Sequence, residues 1–182
     1  MQVILGDPRH VCAGGSGIEG CLDVGVGLFA AGAVSGCGRG GEATTLNNIG
    51  KVYNDLGDRQ QALACHQQAL PIQREIGDRA GEAAALNNIG KVYNDLGDQQ
   101  QALTYLQQAL LIRREVGDRA GEAAVHYNLA RIHRDQGNLD QAINELEIVV
   151  DLDRQVSHTG LASDTAMLHR LRQQRATTLK TT

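Results

Sequence analysis

The sequence predicts an all-α fold, an α-solenoid of antiparallel helix-turn-helix repeats closed by a C-terminal capping helix. Three observations carry this expectation. A 40-residue segment recurs: residues 41–80 match 81–120 at 31 of 40 positions, and 121–156 follows the same spacing more loosely. Within each segment the apolar residues fall at helical intervals. Between the helical stretches stand Gly-Asp or Gly-Asn pairs, a stop followed by a start. A fixed period of this length decides architecture before any local propensity does.

Residues 1–40 share none of the period. This Gly-rich leader has no heptads or turn-bounded strands, so it is expected to be disordered or to have arisen out of frame. The second reading rests on Gly27–Val34, for which codons exist that read Ala-Tyr-Leu-Gln-Gln-Ala-Leu one base along, close to Thr104–Leu110. Gly25-x-Gly27-x-x-Ala30 superficially matches a dinucleotide turn but lacks the strand before it and the acidic residue after it. No cofactor is expected.

The repeats occupy 41–156 as units 41–80, 81–120 and 121–156. In the leading helix, Leu46, Ile49, Gly50 and Tyr53 lie on one stripe and recur as Leu86, Ile89, Gly90 and Tyr93. Gly57, Gly97 and Gly137 end this helix, and Asp58, Asp98 and Asn138 cap the next one. The trailing helix turns inward Ala62, Ala69 and Ile76; Ala102, Leu106, Ala109 and Val116; then Ala142, Leu146 and Val149. Small residues at Gly50, Gly90 and Ala130 face Ala62, Ala102 and Ala142, which lets the backbones approach closely. Unit one departs at His66, where an apolar residue is expected, and at Pro71, which predicts a kink or loosening. Residues 157–182 form a linker and a capping helix. Leu161, Met167, Leu168 and Leu171 are expected to face unit three with Arg170, Arg172 and Arg175 around them, and Thr177 to Thr182 to fray.

The motif Leu86-x2-Ile89-Gly90-x2-Tyr93 with Ala102-x3-Leu106 resembles the tetratricopeptide repeat, and the period resembles the longer-helix subclass of kinesin light chains and Pins-type adaptors. In unit three His126, Ala130 and His133 replace Leu, Gly and Tyr, so the resemblance there rests on spacing. It implies a superhelix whose leading helices line a concave face that binds a partner peptide, often through Asn and basic residues.

The polar face of the leading helices supplies candidates by spacing alone: Asn47, Asn48, Lys51 and Asn54; Asn87, Asn88, Lys91 and Asn94; Tyr127, Asn128, Arg131 and Arg134. An Asn amide both donates and accepts, so it can pair with the main chain of an extended peptide whatever its sequence. Lys or Arg beside it can hold a carboxylate. Asp55, Asp95 and Asp135 flank this surface and oppose an acidic ligand, which leaves a mixed or basic peptide open. The competing reading is a solvated face whose Asn residues were copied by duplication.

Other chemistry is poorly supported by composition. Net charge is -4, with 17 Lys and Arg against 21 Asp and Glu, which argues against nucleic acid and anionic membrane as partners. Five aromatic residues, none of them Trp, offer few stacking platforms for single strands. The low-charge stretch from Cys21 to Gly38 is too short to span a bilayer. The beginning of the chain has one Arg and no Lys, so a secretory signal would lack its positive start, and the cytoplasm is the expected location. Four Cys show no zinc-site or disulfide spacing. His126 and His133 are about 10 Å apart along the helix, too far for shared zinc ligation, and read as core replacements. Cys65 has no activating neighbour in sequence, and Arg74, Glu75, Arg114 and Glu115 suggest exposed intrahelical or inter-repeat pairs. No nucleophile with a base, carboxylate pair or metal set points to an enzyme. Two functions follow: an interaction module that binds a peptide, or a sensor or self-association arm of a larger signalling protein linked to an ATPase-like or caspase-like domain.

Overall fold

The Gly-Asp punctuation of the sequence becomes a pair of interlocked caps at each turn. Gly57, Gly77, Gly97, Gly117 and Gly137 all have positive φ, between 71° and 86°, a conformation that costs other residues a steric penalty. After Gly57, the Asp58 amide reaches back to the Tyr53 carbonyl at 2.9 Å while the Gly57 amide bonds Asn54, a Schellman closure. The same Asp58 then accepts the Gln61 amide and starts the next helix. Asp78, Asp98 and Asp118 repeat the arrangement with Gly81, Gln101 and Gly121. Asn138 departs from expectation, because its side chain donates to Gln136 and makes no capping bond.

The computed structural model describes residues 38–181, and the expectations for the Gly-rich leader, its out-of-frame origin and its dinucleotide-like turn lie outside them. Seven helices fill this range: α1 Arg39–Asp55, α2 Arg59–Glu75, α3 Arg79–Asp95, α4 Gln99–Glu115, α5 Arg119–Asp135, α6 Leu139–Val156 and α7 Leu161–Thr181. Each repeat is one hairpin, α1 with α2, α3 with α4, α5 with α6, and each trailing helix packs on the next leading helix. The leading helices α1, α3 and α5 also touch in sequence, whereas no two trailing helices among those described do. The leading helices therefore take the inner side of the stack.

The core follows the repeat. Leu86, Ile89, Ala102, Leu106 and Ala109 are fully buried at the central hairpin, continuous with Val125, Leu129 and Ile132 of the following leading helix. Tyr93 and Tyr105 stack at 5.4 Å between centroids, closing the far end of that hairpin. Gly90 marks the close approach expected from sequence: a Cβ there would lie 3.1 Å from the Ala102 carbonyl oxygen. Ile76 and Val116, expected on the inward face, are exposed instead. The helices end one residue before them, and the last inward positions are Gln73 and Ile112. Helix α2 continues without interruption through Pro71, which sits on its exposed side.

Arg74 and Arg114 join repeats, and their partners are buried acids the sequence reading missed. Arg74 Nε donates to Glu82 at 2.8 Å and Arg114 Nε to Glu122 at 2.7 Å, while Arg79 and Arg119 hold the other carboxylate oxygens. Burial pushes both carboxyls up, but the two arginines on each outweigh it and hold them below the usual range. Glu75 pairs with Arg39, and Glu115 with Arg79.

At the C-terminal end, α7 lies along α6. Leu168 and Leu171 are buried against Ile143 and Val150, with Met167 and Leu161 at the margin, as expected of a cap. Arg172 reaches Glu147 and Arg175 reaches Asp140.

Candidate peptide-binding groove

Helical spacing puts Lys51 and Asn54 on one side of α1 and Asn88 and Lys91 on the facing side of α3. Stacking of the two repeats brings these four together around a polar pocket of about 200 Å³, completed by Asp55, His66 and Val92. Two amide atoms of these lining residues are buried without a hydrogen-bond partner among the described residues: Asn54 Oδ1, an acceptor, and Asn88 Nδ2, a donor. Buried polar groups are ordinarily satisfied, since an unmet one costs about 1–3 kcal/mol. A complementary donor and acceptor would remove that cost once the two amide side chains turn toward the opening.

His66 forms the floor and is the residue sequence reasoning undervalued. It stands where units two and three have Leu106 and Leu146, is fully buried, and donates from Nδ1 to Asn47 Oδ1 at 2.9 Å. Its ring fills the space left by Gly50, where a Cβ would come within 2.7 Å. Burial, then the nearby Lys51 and Lys91 charges, lowers its pKa to about 4, so the imidazole is neutral at pH 7. The signal available in the sequence was a single polar side chain in an otherwise apolar column.

The remaining candidates are distributed less uniformly than their spacing suggests. Asn47 is withdrawn into the hairpin by its bond to His66. Asn128 Nδ2 donates to Asn87 Oδ1 at 2.9 Å, linking neighbouring leading helices. Arg131 faces Asp95 at 3.5 Å, Arg134 bonds the adjacent Asp135, and Tyr127 packs on the core of unit three. Asn48 is exposed and Asn94 half-buried.

Unit three also differs in its histidines. His126 is buried, at a core position as expected, with Nδ1 donating to Glu145 at 2.5 Å and Nε2 accepting from Arg114 at 3.2 Å, so that it is also a polar link between repeats. His133 is half-buried and its Nδ1 has no partner among the described residues. No group of three or more His, Cys, Asp or Glu among the described residues could hold a metal ion, and no described helix is long and apolar enough to cross a membrane.

Hairpins stacked with their leading helices inward, bearing a polar groove, define a helical-repeat scaffold. The tetratricopeptide repeat profile matches residues 41–115 and 100–155, and the chain belongs to that family. The fold is similar to the crystal structure of a kinesin light chain-like protein of Podospora anserina with nearly identical repeats, at a TM-score of 0.65 and 20% identity, over 76% of this chain and 69% of that one. It is also similar to BtubC (BKLC) from P. vanneervenii, at a TM-score of 0.57 and 16% identity, over 82% and 70% of the two chains. No curated protein sequence matches. The family generally serves protein-protein interaction and its members are typically non-enzymatic scaffolds.

Proposed function

We propose that this chain is a protein-interaction module that binds an extended peptide segment of a partner along its leading helices, centred between α1 and α3. The observation that carries the reading is that two residues lining one pocket, Asn54 and Asn88, each keep an unmet buried amide atom, Oδ1 of the first and Nδ2 of the second. A peptide presents an N–H to the first and a C=O to the second, so recognition needs no particular side chain. Lys51 and Lys91 flank the same opening and favour a carboxylate nearby, whether a chain terminus or an acidic side chain. Asn48, Asn128 and Arg131 extend the polar strip to either side.

The reading is tested with the full chain on an array of extended peptides, each with a free and an amidated C-terminus. Wild-type protein should select a subset, and Asn88→Ala combined with Lys91→Ala should weaken that subset by about tenfold or more, as expected for losing one buried hydrogen bond and a charge. Unchanged binding by the double variant would remove the assignment.

A further inference from the structure

Unit one carries on α1 the face by which the other leading helices receive a preceding repeat. On α3 that face comprises Glu82, Ala85, Ile89 and Val92, and on α5 it comprises Glu122, Val125, Leu129 and Ile132; every one of these residues is at most 5% exposed. The equivalents on α1 are Glu42, Thr45, Ile49 and Val52, none of them buried, and Val52 is 52% exposed. They stand three, four and three residues apart, so they form one continuous helix face.

What covers the equivalent faces is uniform. Leu63 and Leu70 of α2 join the core that includes Ala85 and Ile89, and Leu103 and Leu110 of α4 join the same core where it reaches Val125 and Leu129. Four residues beyond the second Leu stands an Arg, Arg74 or Arg114, that bonds the buried glutamate of the next repeat. Glu42 occupies the place of those glutamates and has no such arginine from a preceding helix among the described residues.

We propose that the Glu42-Thr45-Ile49-Val52 face of α1 is a docking surface for the trailing helix of another tetratricopeptide hairpin, one carrying Leu-x6-Leu-x3-Arg as α2 and α4 do. The apolar positions take the two leucines and Glu42 takes the arginine. A second copy of this chain does not offer the required face at its far end, because Ile143 and Val150 of α6 are covered by Leu168 and Leu171 of α7. Among the described residues, the array is covered by α7 at one end and carries this face on α1 at the other.

The probe is a synthetic peptide of residues 97–118, which contains Leu103, Leu110 and Arg114, held helical by a lactam between the exposed positions 104 and 108 and verified by circular dichroism. Titrated into the full chain, it should bind saturably at one site. Val52→Asp should weaken binding more than tenfold without changing the melting temperature, since the side chain is already exposed. Glu42→Arg should do the same, and the peptide bearing Arg114→Glu should recover binding to that variant but not to wild type. Failure of the helical peptide to bind, or equal binding to wild type and both variants, would overturn the proposal. So would light scattering that shows wild-type dimers lost on Val52→Asp, since the occupant would then be a second copy.

Discussion

Replacing Gly90 by valine is expected to destabilise the protein by about 3 kcal/mol, the upper part of the range for overpacking a tight interior contact. A Cβ at Gly90 falls 2.8 Å from Leu106 Cγ and 3.1 Å from the Ala102 carbonyl oxygen. The leucine can shift only into a fully buried cluster, and the carbonyl belongs to the backbone of α4. Relief requires α3 and α4 to separate, which also disturbs the contacts each makes with the neighbouring repeats. Unit three holds Ala130 at this position, buried against its partner helix, so a single methyl is compatible with this hairpin class when the facing side chains are arranged for it. Urea unfolding measures the effect as a lowered midpoint, and a loss under about 1 kcal/mol would show that the hairpin is not packed as tightly as described.

The second large effect is the share of the pH dependence of stability that His66 contributes. His66 has a pKa of about 4 in the folded chain and 6.5 as its ordinary value. Between those values the unfolded chain binds the extra proton, so the contribution of the neutral imidazole is complete above about pH 6.5 and is lost as pH falls to about 4. The difference corresponds to something on the order of 3 kcal/mol. His66→Leu, which places in unit one the side chain that units two and three carry, should abolish this slope. Unfolding of wild type and variant between pH 7 and pH 4 should show wild type losing stability relative to the variant on acidification. A difference that stays constant with pH would mean that His66 is not held neutral by burial and the two lysines.

The hairpins, their turns and the capping helix were legible because each depends on local chemistry that repeats. Gly57 and Asp58 need only each other and the adjacent turns to form their caps, and the apolar stripe of Leu86, Ile89 and Tyr93 is a property of one helix. The groove was legible in part. Spacing identified Lys51, Asn54, Asn88 and Lys91 as sharing a polar side, and stacking of the repeats gathered them around one pocket. It could not separate Asn47 from Asn48, because which neighbour turns inward depends on His66 offering a donor from the opposite helix. Nor could it foresee that Asn87 and Asn128 bond each other across 41 residues of sequence, or that Glu82 and Glu122 are buried. Those outcomes are fixed by contacts between repeats, and near-identity of the repeats hides them: Glu42 and Glu82 look the same in sequence and differ only in what lies in front of them.

Peptide binding as proposed requires the leading helices to present an unfilled polar strip to an extended chain. Its most direct test is a nitrogen-proton NMR titration of the side-chain amides with a peptide selected on the array. The Asn88 and Asn54 amide resonances are expected to shift first and saturate together, while amides on the trailing helices, such as Gln100 and Gln107, stay in place. Shifts confined to the trailing helices, with Asn54 and Asn88 unmoved, would contradict it.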